Sequence, residues 1–121
     1  MRMIGIGFRA AATQDSLQDA LAQVLAVSET PIDAVVTEAA KAREQVFRDF
    51  AQALGVPGLG VTQSDLSQMI TPTQSQRIQD RFGTGSLAEA AALAAAGPSA
   101  RLVVRRVTST DGMATAALAE G

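Results

Sequence analysis

Residues 86–96 read Ser-Leu-Ala-Glu-Ala-Ala-Ala-Leu-Ala-Ala-Ala, and no other stretch constrains the fold as much. Alanine is the best helix former because it loses no side-chain entropy. A helix with such short side chains buries area only if its backbone lies close against something flat, such as a sheet. Gly97-Pro98 stops it, because proline cannot continue the hydrogen-bond ladder. The rest of the chain must therefore supply that sheet.

Five short apolar runs are candidate strands. Residues 2–8 form a buried run ending in Gly5-Ile6-Gly7-Phe8, and Ile32 to Thr37 is centred on Val35 and Val36. Leu59 to Thr62 is shorter. Leu102 to Val107 and Met113 to Leu118 flank Asp111-Gly112, a turn dipeptide that tolerates positive φ, and so read as a hairpin.

Helical periodicity fills the gaps. Thr13 is an N-cap, followed by Leu17, Ala20, Leu21, Val24 and Leu25 on one face. Glu29-Thr30-Pro31 breaks that helix. Glu38 to Leu54 reads as one continuous helix with an inner stripe of Ala39, Ala42, Val46, Phe50 and Leu54, widened by Phe47 and Ala53. Its outer face holds Lys41, Arg43, Glu44, Arg48 and Asp49. Gly55 suits a left-handed cap, and Pro57 forbids resumption. Ser64 to Ile70 predicts one or two turns with Leu66, Met69 and Ile70 inward. Ser75 to Phe82 is another short helix after the Thr71-Pro72-Thr73 break.

All four prolines fall between elements, and no internal repeat or domain boundary is visible. The order β-α-β-α-β-α-α-α-β-β predicts one domain over residues 1–121. Its fold class is α/β: a three-layer α/β/α sandwich, with a sheet made mixed by the closing hairpin.

Composition removes whole classes of chemistry. The 121 residues include no Cys, His, Trp or Tyr. That excludes a catalytic triad, a thiol nucleophile, zinc sites of the common kinds and an axial histidine for haem or corrin cobalt. No metal site and no cofactor is expected. A net charge of −2 and 3% aromatics argue against nucleic acid, which needs a basic face and stacking platforms. No apolar run reaches the length of a membrane span, and Met1-Arg2-Met3-Ile4-Gly5 does not read as a signal peptide. A cytoplasmic location is the expectation.

Four local constellations carry candidate chemistry. Gly5-Ile6-Gly7-Phe8-Arg9-Ala10 nearly matches a dinucleotide fingerprint, but Thr13 starts the next helix several residues too late for a pyrophosphate. The same glycines equally fit a tight turn approached by another backbone, or a loop where Arg9 offers its fork to a carboxylate. Lys41 and Glu44 stand one turn apart, either as a solvated pair or as ligands at a strand's carboxyl end. Gly83-Thr84-Gly85-Ser86-Leu87-Ala88-Glu89 reads as a capping box of Ser86 with Glu89, and equally as exposed amides at a helix N-terminus that receive an anion. Arg101, Arg105 and Arg106 punctuate the penultimate strand, with Arg105 and Arg106 on opposite faces.

Together these segments resemble the CobE / CbiG carboxy-terminal domain family of cobalamin biosynthesis. The resemblance rests on Gly5-Ile6-Gly7-Phe8-Arg9, on Lys41-x-x-Glu44-x-x-Phe47 followed by Leu54-Gly55-Val56-Pro57, and on Gly83-Thr84-Gly85-Ser86-Leu87-Ala88-Glu89 through Leu93 and Gly97. The closing Met113-Ala114-Thr115-Ala116-Ala117-Leu118-Ala119 resembles the family's threonine-bearing last strand. The chain departs from the pattern at Arg105-Arg106, where a lysine is usual, and at Phe8, where a small residue is common.

That resemblance implies a protein acting on corrin-ring precursors of vitamin B12, alongside other enzymes of the pathway. Such precursors carry many acetate and propionate groups, so a protein that holds them needs amides and cationic forks. The expected ligand-binding residues are Gly5, Gly7, Arg9, Lys41, Glu44, Gly83, Gly85, Ser86, Glu89, Arg106 and Thr115. The leading expectation is binding that assists processing or transfer of the precursor. The alternatives are a hydrolase or lyase acting on the macrocycle with Glu89 or Glu44 as base, as in the lactone-opening reaction of the longer CbiG proteins, and a dinucleotide-binding module.

Overall fold

The computed structural model describes residues 1–29 and 31–121. Thr30, part of the expected break after the first helix, lies outside the described residues. The chain runs β1 (Arg2–Phe8), α1 (Gln14–Val27), β2 (Ala34–Glu38), a 3-10 turn (Lys41–Arg43), α2 (Gln45–Leu54) and β3 (Gly58–Val61). It continues through α3 (Gln63–Ser67), α4 (Gln76–Phe82), α5 (Leu87–Ala96), β4 (Arg101–Thr108) and β5 (Ala114–Glu120). The sheet order is β3-β2-β1-β5-β4. Strands β1, β2 and β3 run parallel; β5 is antiparallel to both its neighbours. The expected mixed α/β sheet is what forms.

The two faces of the sheet differ in side-chain size, and that decides which helix goes where. Alternation along β1 sends Ile4, Ile6 and Phe8 to one face, where they join Val35 and Leu118. Large residues there hold off α1 and α2, which contribute Leu17, Leu21, Val24, Phe47 and Phe50. The opposite face offers Gly5, Gly7, Ala117 and Ala119, and α5 lies against it. Its alanines need that flatness. A Cβ built on Gly5 would stand 1.8 Å from the Ala88 carbonyl oxygen, so glycine is required where the helix crosses the strand.

Local signals set most boundaries. Thr13 caps α1 and pairs reciprocally with Ser16, a capping box at the chain's first helix. Gly55 and Gly83 end α2 and α4 in the left-handed conformation, and Gly112 takes φ of 74° in the hairpin turn.

Three expectations need correction. The predicted Glu38 to Leu54 helix is two pieces, because Glu44 adopts an extended ψ of 140° as the N-cap of α2. The Glu38 carboxylate accepts from the amides of Ala40 and Lys41 and so opens a separate 3-10 turn. Consequently Lys41 is not on the polar face: it is 4% exposed. Ala53 is exposed, and Ala51 joins Phe47 and Phe50 in the core instead. Ile70 is 92% exposed rather than inward, because α3 stops at Ser67 before reaching it. Among the described residues, no helix is long and apolar enough to cross a membrane.

Candidate functional site

The carboxyl end of β1 is where parallel and antiparallel halves of the sheet meet, and ligands of open α/β sheets collect at such places. An open cavity of about 220 Å³ lies there. Its walls come from five elements. β1 and the residue after it give Gly7, Phe8 and Arg9; the 3-10 turn gives Lys41; α4 gives Arg77, Ile78, Arg81 and Phe82. The first residue of α5, Leu87, and the β4–β5 hairpin, with Arg106, Gly112 and Thr115 among others, complete it.

The charge of this lining is one-sided. Arg9, Lys41, Arg77, Arg81 and Arg106 are half of the ten cationic residues in a chain of net charge −2. Among the described residues, no Asp or Glu lines the cavity. Like charges gathered without counter-charge repel one another, so the arrangement favours an anionic occupant.

Lys41 is the best-fixed of the five. Its ammonium donates to the Phe8 carbonyl oxygen at 2.7 Å and lies 4.3 Å from the centre of the Phe8 ring. That ring stacks on Phe47 at 6.3 Å. Glu44 approaches the ammonium only to 3.9 Å and is itself half exposed, so the ion pair is weak. Burial lowers the pKa of Lys41 below the ordinary lysine value; Arg81 and Arg77 lower it further, while Glu44 and Glu38 oppose them.

Backbone bonds set Arg9 and Arg106, and α4 sets Arg77 and Arg81. The Arg9 amide donates to the Met113 carbonyl at 2.9 Å, tying the end of β1 to the hairpin. Arg77 and Arg81 stand four residues apart on α4, hence on one face, with Arg81 4.9 Å over the Phe82 ring. Arg106 sits where β4 shifts register against β5, between Val104 and Val107. Its amide donates to Glu89 at 2.9 Å.

Of the eleven residues predicted from sequence, Gly7, Arg9, Lys41, Arg106 and Thr115 line this cavity. Gly7 and Thr115 face each other in register, with the Thr115 hydroxyl 3.4 Å from the Gly7 carbonyl oxygen. The other six do not line it. Gly5 is inside β1 rather than in a turn, covered by α5, and α1 begins only at Gln14. No strand-to-helix turn of the dinucleotide kind forms there. Gly83 caps α4, and Gly85 packs against Thr73 and Gln74, where a Cβ would come within 2.6 Å. Ser86 accepts from the Glu89 amide at 3.2 Å.

Glu89 does not complete the expected capping box. Its carboxylate accepts from the Thr73 amide, the Thr73 hydroxyl and the Arg106 amide instead. Those three donors occupy three of the roughly four acceptor positions of a carboxylate.

Sequence reasoning missed Arg77, Arg81 and Leu87. The i, i+4 spacing of Arg77 and Arg81 on a short helix was the available signal. A second concavity, about 710 Å³, lies at the other end of α5 and β4, lined mostly by apolar groups with Asp65 and Arg101. It is larger, and its polar side chains are Asp65, Gln68 and Arg101.

Comparison with known proteins agrees with this architecture. The family model described as cobalamin synthesis G C-terminus matches residues 2–119. The crystal structure of CobE, a protein from the cobalamin (vitamin B12) biosynthetic pathway, is 26% identical with a TM-score of 0.88, over 98% of this chain and 89% of that one. Cobalamin biosynthesis protein chiG from Agrobacterium tumefaciens str. C58 is 32% identical with a TM-score of 0.77, over 99% of this chain and 98% of that one. A cobalamin biosynthesis protein G homologue from Sulfolobus solfataricus, at 21% identity and a TM-score of 0.72, shares the fold; the match covers 98% of this chain and 36% of that one. No curated protein matches the chain. With nearly its whole length matched, this chain belongs to the cobalamin synthesis G C-terminus family of the cobalamin biosynthesis pathway.

Proposed function

We propose that this protein binds a corrin-ring precursor by its carboxylate side chains and assists its processing or transfer among enzymes of the pathway. One observation carries the reading: five cations and no carboxylate line the cavity at the end of β1, among the described residues. A corrin precursor is a flat, apolar ring edged with acetates and propionates. Charge-assisted hydrogen bonds from guanidinium and ammonium groups suit that edge.

Size refines the proposal. Pockets that enclose a small molecule span about 300–1,000 Å³. The cavity, at about 220 Å³, admits the substituents of one edge while the rest of a macrocycle stays outside. Holding by one edge suits a protein that presents its ligand to a second protein.

The contributions are unequal. Arg9, Arg77 and Arg81 are exposed, so each contact is worth at most about 1 kcal/mol. Lys41 is buried, and a hydrogen bond from a charged group there contributes about 1.5–3 kcal/mol. The test is titration of the purified protein with cobyrinic acid, a corrin ring bearing free carboxylates, followed by visible absorbance. Binding that weakens in Arg9→Ala and weakens more in Lys41→Ala is expected. Absence of spectral change with every corrin polycarboxylate tried rejects the reading.

A further inference from the structure

We propose that Glu89 is a positioning residue whose carboxylate ties together the two walls of the cavity that carry Arg77, Arg81 and Arg106. The inference rests on the reading of the cavity as an anion site, and adds to it the device that holds the site's shape.

Glu89 is fully buried in a helix otherwise made of alanine and leucine. Taking a carboxylate out of water is costly, so a buried one needs strong partners. It has them on two sides. The Oε1 atom accepts from the Thr73 amide at 2.9 Å, and Oε2 accepts from the Thr73 hydroxyl at 2.8 Å. The same Oε2 accepts from the Arg106 amide at 2.9 Å. Its place in the first turn of α5 adds the favourable end of the helix dipole.

The two partners lead to different walls. Thr73 stands three residues before α4, and the Ser75 amide closes the same segment onto the Gly85 carbonyl at 2.8 Å. That segment fixes where α4 starts, and hence where Arg77 and Arg81 project. Arg106 lies in the stretch of β4 where the register against β5 shifts. An irregularity of this kind leaves a backbone group without its ladder partner and re-aims the side chain beside it. Glu89 receives that amide in a part-buried setting and so supplies a partner to the irregular strand. One carboxylate thus stabilises both the entry to α4 and the departure from regular pairing at Arg106.

Glutamine at position 89 keeps the shape but replaces one oxygen with a donor, which faces donors. Hydrogen exchange and affinity are measured together in wild type, Glu89→Gln and Thr73→Val, the last removing a single hydroxyl donor. In Glu89→Gln the Thr73 and Arg106 amides should exchange roughly tenfold faster, while Ile4 and Ile6 in the sheet centre stay as they are. Affinity for cobyrinic acid should fall roughly tenfold, and Thr73→Val should shift both in the same direction by less. In an Arg77→Gln/Arg106→Gln background, Glu89→Gln should cost less than about threefold, because two of the three side chains it positions are gone.

Unchanged exchange at both amides overturns the proposal. So does an affinity loss that stays tenfold in the double-variant background, since that reports general destabilisation. If wild type binds no corrin polycarboxylate, the proposed function fails, and the tie between the walls is then decided by the exchange rates alone.

Discussion

The Lys41 ammonium holds the carbonyl of Phe8 at 2.7 Å from across the end of the sheet, over the ring of the same residue. This contact couples the 3-10 turn to β1, so a cation of the cavity also anchors the strand end that forms its floor. It also makes Lys41 a reporter. The chain has no Tyr and no Cys, and its other nine basic residues are arginines.

Apart from the α-amino group, which wild type and a Lys41 variant share, stability in alkaline solution should therefore follow Lys41. Its pKa in the folded chain is lowered from 10.5, first by burial and then by Arg81 and Arg77. Between that lowered value and 10.5 the unfolded chain binds more protons than the folded one. Unfolding free energy therefore rises with pH through that window and is flat above it. Urea titrations across pH 8–11 should show the rise in wild type and its absence in Lys41→Met. At neutral pH the variant should cost about 1 kcal/mol or less, because relief from burying a charge offsets the donor that Phe8 loses. A wild type and variant with parallel pH curves would contradict the burial of the ammonium.

Gly5→Ala should be the most damaging single-methyl addition in the chain. The new Cβ would meet the Ala88 carbonyl oxygen at 1.8 Å and the Ala92 amide nitrogen at 2.8 Å, both backbone atoms of α5. The helix must lift off the sheet, at a cost of at least about 3 kcal/mol. Gly7→Ala meets the Thr115 hydroxyl at 2.6 Å, a side-chain atom that rotates away. It should cost clearly less while narrowing the cavity. Urea midpoints of the two variants decide the order.

These residues also mark where sequence reading succeeds and fails. Thr13 and Gly55 were legible because a cap depends on its own neighbours and on backbone conformation. That the sheet is mixed and closes on a hairpin was reachable from the alternation of elements and the Asp111-Gly112 turn; the order of its strands was not. Burial of Lys41 was not, because it depends on Glu38 opening a separate turn, and helical periodicity alone put the lysine outside. Gly5 was placed in the strand with approach by another backbone left open as one alternative, but which backbone was not legible, because the helix that crosses it lies more than eighty residues later. Glu89 and Ser86 show the same split: the Ser86 cap is local and forms, whereas the carboxylate serves Thr73 and Arg106, which no local motif announces.

Acid should loosen the hairpin through Asp111. Its carboxylate accepts from the hydroxyls of Ser109 and Ser16, each at 2.6 Å, and from the Met113 amide at 3.0 Å. These bonds hold its pKa below 3.8, the Ser109 hydroxyl contributing most. The stabilisation they give is present above 3.8 and is lost as pH falls through the lowered folded value. Asp111→Asn should flatten that part of the stability curve, measured by thermal unfolding from pH 5 down to pH 2. Since the Arg9 amide bonds to the Met113 carbonyl, the same variant should speed exchange at Arg9. A variant whose acid limb matches wild type would show that the turn is held by other contacts.

Arg77 and Arg81 give the most direct test of the cavity's charge. Both are exposed on α4, and neither donates a side-chain hydrogen bond or ion pair among the described residues. Glutamine removes the charge while keeping a similar helix propensity. Arg77→Gln and Arg81→Gln should each leave stability within about 0.5 kcal/mol of wild type, with Arg81→Gln the larger loss because the guanidinium covers the Phe82 ring. Each should weaken binding of cobyrinic acid by up to roughly fivefold at low salt, the worth of an exposed ion pair. Salt should erase the difference: at 1 M ionic strength the screening length is about 3 Å, and the variants should bind as wild type does. Neutralising both helix arginines while leaving affinity and its salt dependence intact would mean that α4 does not face the ligand.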